Sequence, residues 1–139
     1  FENDHFAVFI PFFTDWPYGV YIVSKNNALT NFSEFNEDVS ASFAITLKYV
    51  QGMYDTLFDR SFPYMMGIYQ NPLHVEEFKD SKLYYPFNVK FFPPLRGETS
   101  IKWNASSETC AWAKTNPRIV EETAEELRLA LKKYLDSIK

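Results

Sequence analysis

The chain has 139 residues, enough for one domain with a real core, and 46% hydrophobic content with 14 Phe, 9 Tyr and 3 Trp excludes disorder. A net charge of -4 and a pI near 5.2 argue against a nucleic-acid-binding surface. Cys110 is the single cysteine, so it forms no internal disulfide and builds no thiolate metal site alone, which fits a reducing cytoplasm.

No apolar run approaches membrane-span length and no signal peptide is visible. The chain starts at Phe1, inside the run-up to a strand, and reads as a fragment or a processed product. Two N-x-S sequons, at Asn31 and Asn104, are read as chance in the absence of secretory marks.

Phe6 to Phe13 alternates as a strand, with Phe6, Val8 and Ile10 on one face and Ala7 and Phe9 on the other. Thr14 to Gly19 is a turn cluster, and Val20 to Lys25 is a second, central strand that closes a hairpin. After a polar loop, helix is expected from Glu37 to Phe58, with Asn36 as N-cap and Glu37 and Asp38 on the positive end of its dipole. Val39, Phe43, Leu47, Val50, Tyr54 and Leu57 form its apolar stripe, and Gly52 marks a close contact.

Pro63 to Gln70 is a third strand, with Met65 and Met66 as core filler, and Asn71 to Lys82 an exposed loop. Leu83 to Phe92 is a fourth strand: Phe87, Val89 and Phe91 suit a buried face, leaving Asn88, Lys90 and Phe92 on the other, and Pro93-Pro94 ends it. Ile101 to Trp103 starts a short fifth strand. A last helix begins at Asn116-Pro117, with Asn as N-cap and Pro at the first helical position. Its stripe is Val120, Ala124, Leu127, Leu131, Tyr134 and Ile138, with glutamates early and lysines late. The pattern is α+β: an antiparallel sheet of about five strands with two main helices packed on it, as a single domain over residues 1–139.

Four stretches carry a resemblance. Phe87 to Pro94 resembles the H-x-H-φ-φ-P-P strand in the C-terminal half of galactose-1-phosphate uridylyltransferases, a branch of the histidine-triad superfamily. Phe6 to Phe12 with Trp16-Pro17-Tyr18 is similar to the family's strand and W-P-Y turn, although Gly19 stands where a glutamate is usual. Tyr54 to Phe58 with Phe62 to Gly67 resembles Y-D-N-L-F … F-P-Y-x-M-G. Lys102 to Glu108 resembles the K-aromatic-x-small-G-x-E loop, with Ser106 in the glycine's place.

The resemblance implies a histidine-triad-like fold and a part in ping-pong exchange of a uridylyl group between UDP-glucose and galactose 1-phosphate, reactions of cytoplasmic galactose metabolism. The nucleophilic histidine, and a possible zinc site, belong to an N-terminal half not represented here, so no catalytic residue and no cofactor are assigned to this chain. By the same resemblance Lys102 meets the phosphate, Trp103 packs on the sugar, Ala105 keeps a small position and Glu108 accepts sugar hydroxyls, from a loop that crosses a homodimer interface. The family's second metal site falls on Tyr69, Asn88 and Lys90, which are poor ligands, so no metal is expected.

Two alternatives stay open. One is a stand-alone, non-catalytic histidine-triad-like binding or structural module, suggested by the three replaced histidines. The other is a related sugar-nucleotide phosphorylase. Without the resemblance, Lys102 and Glu108 read as a surface pair, His74 as a solvated loop residue and the Glu121 to Glu126 cluster as a helix N-terminal charge pattern.

Overall fold

The computed structural model describes residues 1–72, 74–101 and 106–139. Four strands form one antiparallel sheet: β1 Phe6–Phe9, β2 Tyr21–Ser24, β3 Met65–Tyr69 and β4 Asn88–Phe92, in the order β1-β2-β4-β3. Helices α1 (Glu37–Leu57) and α3 (Val120–Ser137) pack against each other on one face, and a short α2 (Ser106–Ala111) lies between β4 and α3.

Phe6, Val8, Ile22, Phe87, Val89 and Phe91 line the helix-facing side and are buried. A ring cluster forms where the loop before α1 folds over the sheet: Phe32, Phe35, Phe43 and Phe87 meet at centroid distances of 4.8 to 5.8 Å. Phe43 and Phe87 are buried, and a fully buried ring of this kind contributes about 1.5–3 kcal/mol. Tyr54 is fully buried, and its hydroxyl donates to the Tyr18 carbonyl at 2.7 Å, which removes the cost of an orphaned phenol.

Helix α1 starts as its sequence dictates: the Asn36 side chain accepts from the Val39 N–H at 2.9 Å. Helix α3 does not. It begins at Val120, because the Asn116 side chain accepts from the Arg118 N–H at 3.0 Å and turns the chain before the helix starts. Thr123, Leu127 and Ala130 are its buried residues, while Ile138 is exposed.

The sheet has four strands where about five were expected. Ile101 makes an isolated bridge to Leu95, within its own loop, and joins no sheet strand; Lys102 and Trp103 lie outside the described residues. β4 starts at Asn88, since Ser81–Leu83 curls into a 3-10 turn and Pro86 breaks the stretch between that turn and the strand. Met65 and Met66 are exposed, at 55% and 42%, and are not core filler: β3 is an edge strand.

Candidate functional site

Lys102, Trp103 and Ala105 lie outside the described residues. Glu108, the fourth member of the expected sugar-phosphate loop, is buried on α2. The stem of this loop is fixed from one side by the Leu95–Ile101 bridge and by the Arg96 N–H, which donates to the Ser100 carbonyl at 2.7 Å.

A second anchor was not legible in the sequence. Arg118 donates to the Arg96 carbonyl at 3.3 Å, to the Tyr18 hydroxyl at 3.1 Å and to Glu126 at 2.5 Å. Tyr18, fully buried, donates to the other oxygen of Glu126 at 2.7 Å. The cluster ties the turn after β1, the loop after β4 and the first turns of α3 together. Burial, and then the bond to Glu126 and its charge, push the Tyr18 hydroxyl far above its ordinary value, with Arg118 opposing. The bond to Glu126 raises the Arg118 guanidinium as well. Glu126 therefore has an internal partner, beyond any part in a helix-end charge pattern. A depression of about 400 Å³ opens beside the cluster, lined by Tyr18, Phe58, Gly97, Arg118, Glu126 and Lys133 among others.

Tyr69, Asn88 and Lys90 do come together, on the sheet face away from the helices. The register sets two rows across the strands: Phe9, Tyr21, Lys90 and Gly67 in one, Ala7, Val23, Asn88 and Tyr69 in the next. Gly67 has no side chain, and the Tyr69 ring leans over it, 2.9 Å from where a Cβ would stand. That brings the ring to 4.6 Å from the Lys90 ammonium, which also lies 5.1 Å from the Tyr21 ring. Lys90 is a cation held between two aromatic faces, and among the described residues no carboxylate pairs with it. Burial, then Tyr69 and Asp15, raise the Tyr21 hydroxyl. Asn88 is buried, with its amide donating to the Pro86 carbonyl at 3.0 Å.

This donor set does not suit a metal ion. A lysine ammonium has no lone pair and repels a cation, and the Asn88 Oδ1, buried without a hydrogen-bond partner, is a single neutral donor beside it. Among the described residues no three His, Cys, Asp or Glu side chains converge. His5 lies instead at the start of β1, 2.8 Å from Asp38 of α1, and His74 stands exposed in the loop after β3. Asn31 of the first sequon is buried and donates to the Thr30 hydroxyl, so the folded chain does not present it; Asn104 of the second lies outside the described residues. No helix among the described residues is long and apolar enough to cross a membrane.

Comparison with known proteins places this geometry. The model of the galactose-1-phosphate uridyl transferase C-terminal domain matches residues 1–135. Galactose-1-phosphate uridylyltransferase of Thermotoga maritima is 41% identical over 128 residues, which are 92% of this chain and 39% of that protein. A solved uridylyltransferase superposes with a TM-score of 0.82 at 27% identity, over 96% of this chain and 40% of the other. A zinc-bound histidine triad family protein from Mycobacterium smegmatis shares the fold, with a TM-score of 0.61 at 13% identity, over 100% of this chain and 86% of that one. The chain thus spans about two fifths of these two uridylyltransferases. With a histidine-triad-like α+β fold and a match along nearly its whole length, the chain belongs to the galactose-1-phosphate uridylyltransferase family, in the region of its C-terminal domain.

Proposed function

We propose that the chain is the hexose-1-phosphate-recognising, dimer-forming part of a cytoplasmic UDP-hexose–hexose-1-phosphate uridylyltransferase whose nucleophilic histidine lies in a preceding half. The observation that carries this reading is the 41% identity to the Thermotoga maritima uridylyltransferase along 92% of the chain. Lys102 supplies a point charge to the phosphate, Trp103 an apolar wall to the sugar ring, Ala105 room for the loop's approach, and Glu108 a carboxylate to the sugar hydroxyls. Burial of Glu108 supports this role, since a carboxylate withdrawn from water discriminates more strongly between ligands that do and do not offer a hydroxyl. The anchoring of the loop stem by Arg118 supports it too, because a recognition loop works only if its geometry is fixed beforehand.

The test is uridylyl exchange by the native polypeptide between UDP-hexose and galactose 1-phosphate. Lys102→Ala and Glu108→Gln should weaken galactose 1-phosphate and UDP-hexose alike, since the hexose 1-phosphate leaving in the first half-reaction occupies the subsite the second one enters, while binding of UDP alone stays unchanged. A native product of 16.3 kDa, with no uridylyl-accepting histidine, would sink the proposal. It would favour the second reading, a non-catalytic binding module, for which Tyr69, Asn88 and Lys90 at the family's ligand positions are the motivating observation.

A further inference from the structure

The segment after Glu108 is exposed throughout. Thr109 to Thr115 faces solvent at every residue, and it contains the apolar run Cys110-Ala111-Trp112-Ala113. A run of exposed apolar residues has no place on a folded surface unless it meets a ligand or a partner. Trp112 keeps 83% of its surface in solvent. Its backbone is left-handed, with φ at 53°, and the Lys114 N–H closes the turn onto its carbonyl at 3.2 Å. Glycine takes that conformation freely; a bulky residue takes it at a cost, and such strain concentrates at ligand clamps.

The strain has a geometric effect. Trp112 stands immediately beyond Ala111, the last residue of α2, and one helical turn after Glu108. On a helix the later side chain of such a pair lies over the earlier one, because side chains lean back toward the N-terminus. At a helical φ the indole would therefore cover Glu108. Turning about the N–Cα bond into the left-handed region swings the Cβ off that side, so the ring stands clear of Glu108 and out in solvent.

We infer that the Trp112 indole is a second aromatic wall of the hexose subsite, taking the C–H face of the sugar ring while Glu108 takes its hydroxyls. A pyranose carries hydroxyls around its rim and C–H groups on its faces. The slightly positive C–H groups suit the negative face of an indole, and binding sites pair such a wall with a few placed polar groups. The left-handed turn puts the two next to each other without letting the ring close over the carboxylate. The inference rests on the reading that Lys102 to Glu108 recognises hexose 1-phosphate, and it adds a residue beyond that loop.

The experiment measures binding of galactose 1-phosphate and of UDP by the native polypeptide, by Trp112→Gly and by Lys102→Ala, with calorimetry, and the mass of each assembly by sedimentation. Glycine suits the left-handed backbone, so the thermal midpoint of Trp112→Gly should equal or exceed that of the native protein. Its affinity for galactose 1-phosphate should fall about tenfold, with UDP binding and assembly mass unchanged. Unchanged affinity in Trp112→Gly, where Lys102→Ala does weaken galactose 1-phosphate, overturns the inference and leaves the loop reading standing. A lower midpoint, a parallel loss of UDP binding or a smaller assembly in Trp112→Gly gives the indole to the fold or to a subunit contact and overturns the inference as well. A native polypeptide that binds no galactose 1-phosphate, or binds it equally well with Lys102→Ala, overturns both the inference and the reading beneath it.

Discussion

Tyr134 of α3 occupies the space a side chain at Gly52 of α1 would need: a Cβ built there overlaps Cζ, Cε1 and Cε2 of the ring. The two helices meet closely because position 52 is bare. Glycine costs a helix interior about 1 kcal/mol relative to alanine, so the close approach must return at least that much. In a Tyr134→Ala background, Gly52→Ala should therefore stabilise by about 1 kcal/mol. In the native background the ring must swing away from Tyr49, which it meets edge-on at 6.5 Å, and the gain should vanish or reverse. Urea unfolding of the four proteins measures the coupling; a value near zero would show that the two residues are independent.

Glu34 contributes to acid stability. Burial pushes its carboxyl up, but bonds from the Thr30 N–H, Lys82, the Asn31 N–H and the Thr30 hydroxyl outweigh it and hold the group at about 2, against an ordinary 4.5. A carboxyl lowered on folding contributes stability that is complete above pH 4.5 and is lost as pH falls toward 2. Glu34→Gln should flatten the decline in unfolding free energy across that window and cost stability at pH 7. Unchanged slopes between pH 4.5 and 2 would remove Glu34 from the account.

Much of this was readable in the chain, and the rest escaped for a common reason. The Asn36 cap, the α1 stripe and the two faces of β4 depend on neighbours within a few residues, and each is found where the pattern put it; the bare position at Gly52 marks a close contact as expected, but its partner Tyr134 lies on α3. Asn116-Pro117 failed as a helix start because the Asn116 side chain turns the chain at Arg118, and Arg118 is at the same time held by Tyr18 and Arg96, up to 100 residues away in the chain. Met65 and Met66 look like core until the strand order puts β3 at an edge. The place of Lys90 has a signal in the sequence: Gly67 and Tyr69 share a face at i, i+2, which is the spacing at which a ring covers a glycine and turns toward the next strand.

Lys90 contributes through its charge as well as its stem. Lys90→Met keeps the length and apolar reach but removes the attraction to two rings, and should cost about 0.5–1 kcal/mol. Tyr69→Leu should cost a similar amount and make Lys90→Met nearly neutral. Because Tyr69, Asn88 and Lys90 are unsuited to a metal, exhaustive chelation should leave the domain's thermal midpoint unchanged, as followed by circular dichroism. A fall in that midpoint on chelation would refute the point.

The Tyr18, Arg118 and Glu126 cluster makes a distinct alkaline prediction. Arg118 and Glu126 keep 29% and 38% of their side chains exposed, so solvent screens the pair. Arg118→Met should then cost about 1–3 kcal/mol, most of it from leaving Tyr18 and Glu126 short of a donor. Tyr18→Phe should cost about 1 kcal/mol, since Arg118 and Glu126 still satisfy each other. A phenol raised on folding keeps its contribution below the ordinary 10 and loses it as pH climbs from there toward the raised value. Unfolding free energy should thus decline above pH 10, less steeply in Tyr18→Phe; the buried Tyr54 hydroxyl, also raised, keeps part of the decline in the variant. Because Arg118 also holds the Arg96 carbonyl, the proposed recognition loop should lose more hexose 1-phosphate binding with Arg118→Met than with Tyr18→Phe at matched stability. Equal weakening by both would mean that the cluster serves the fold and not the loop.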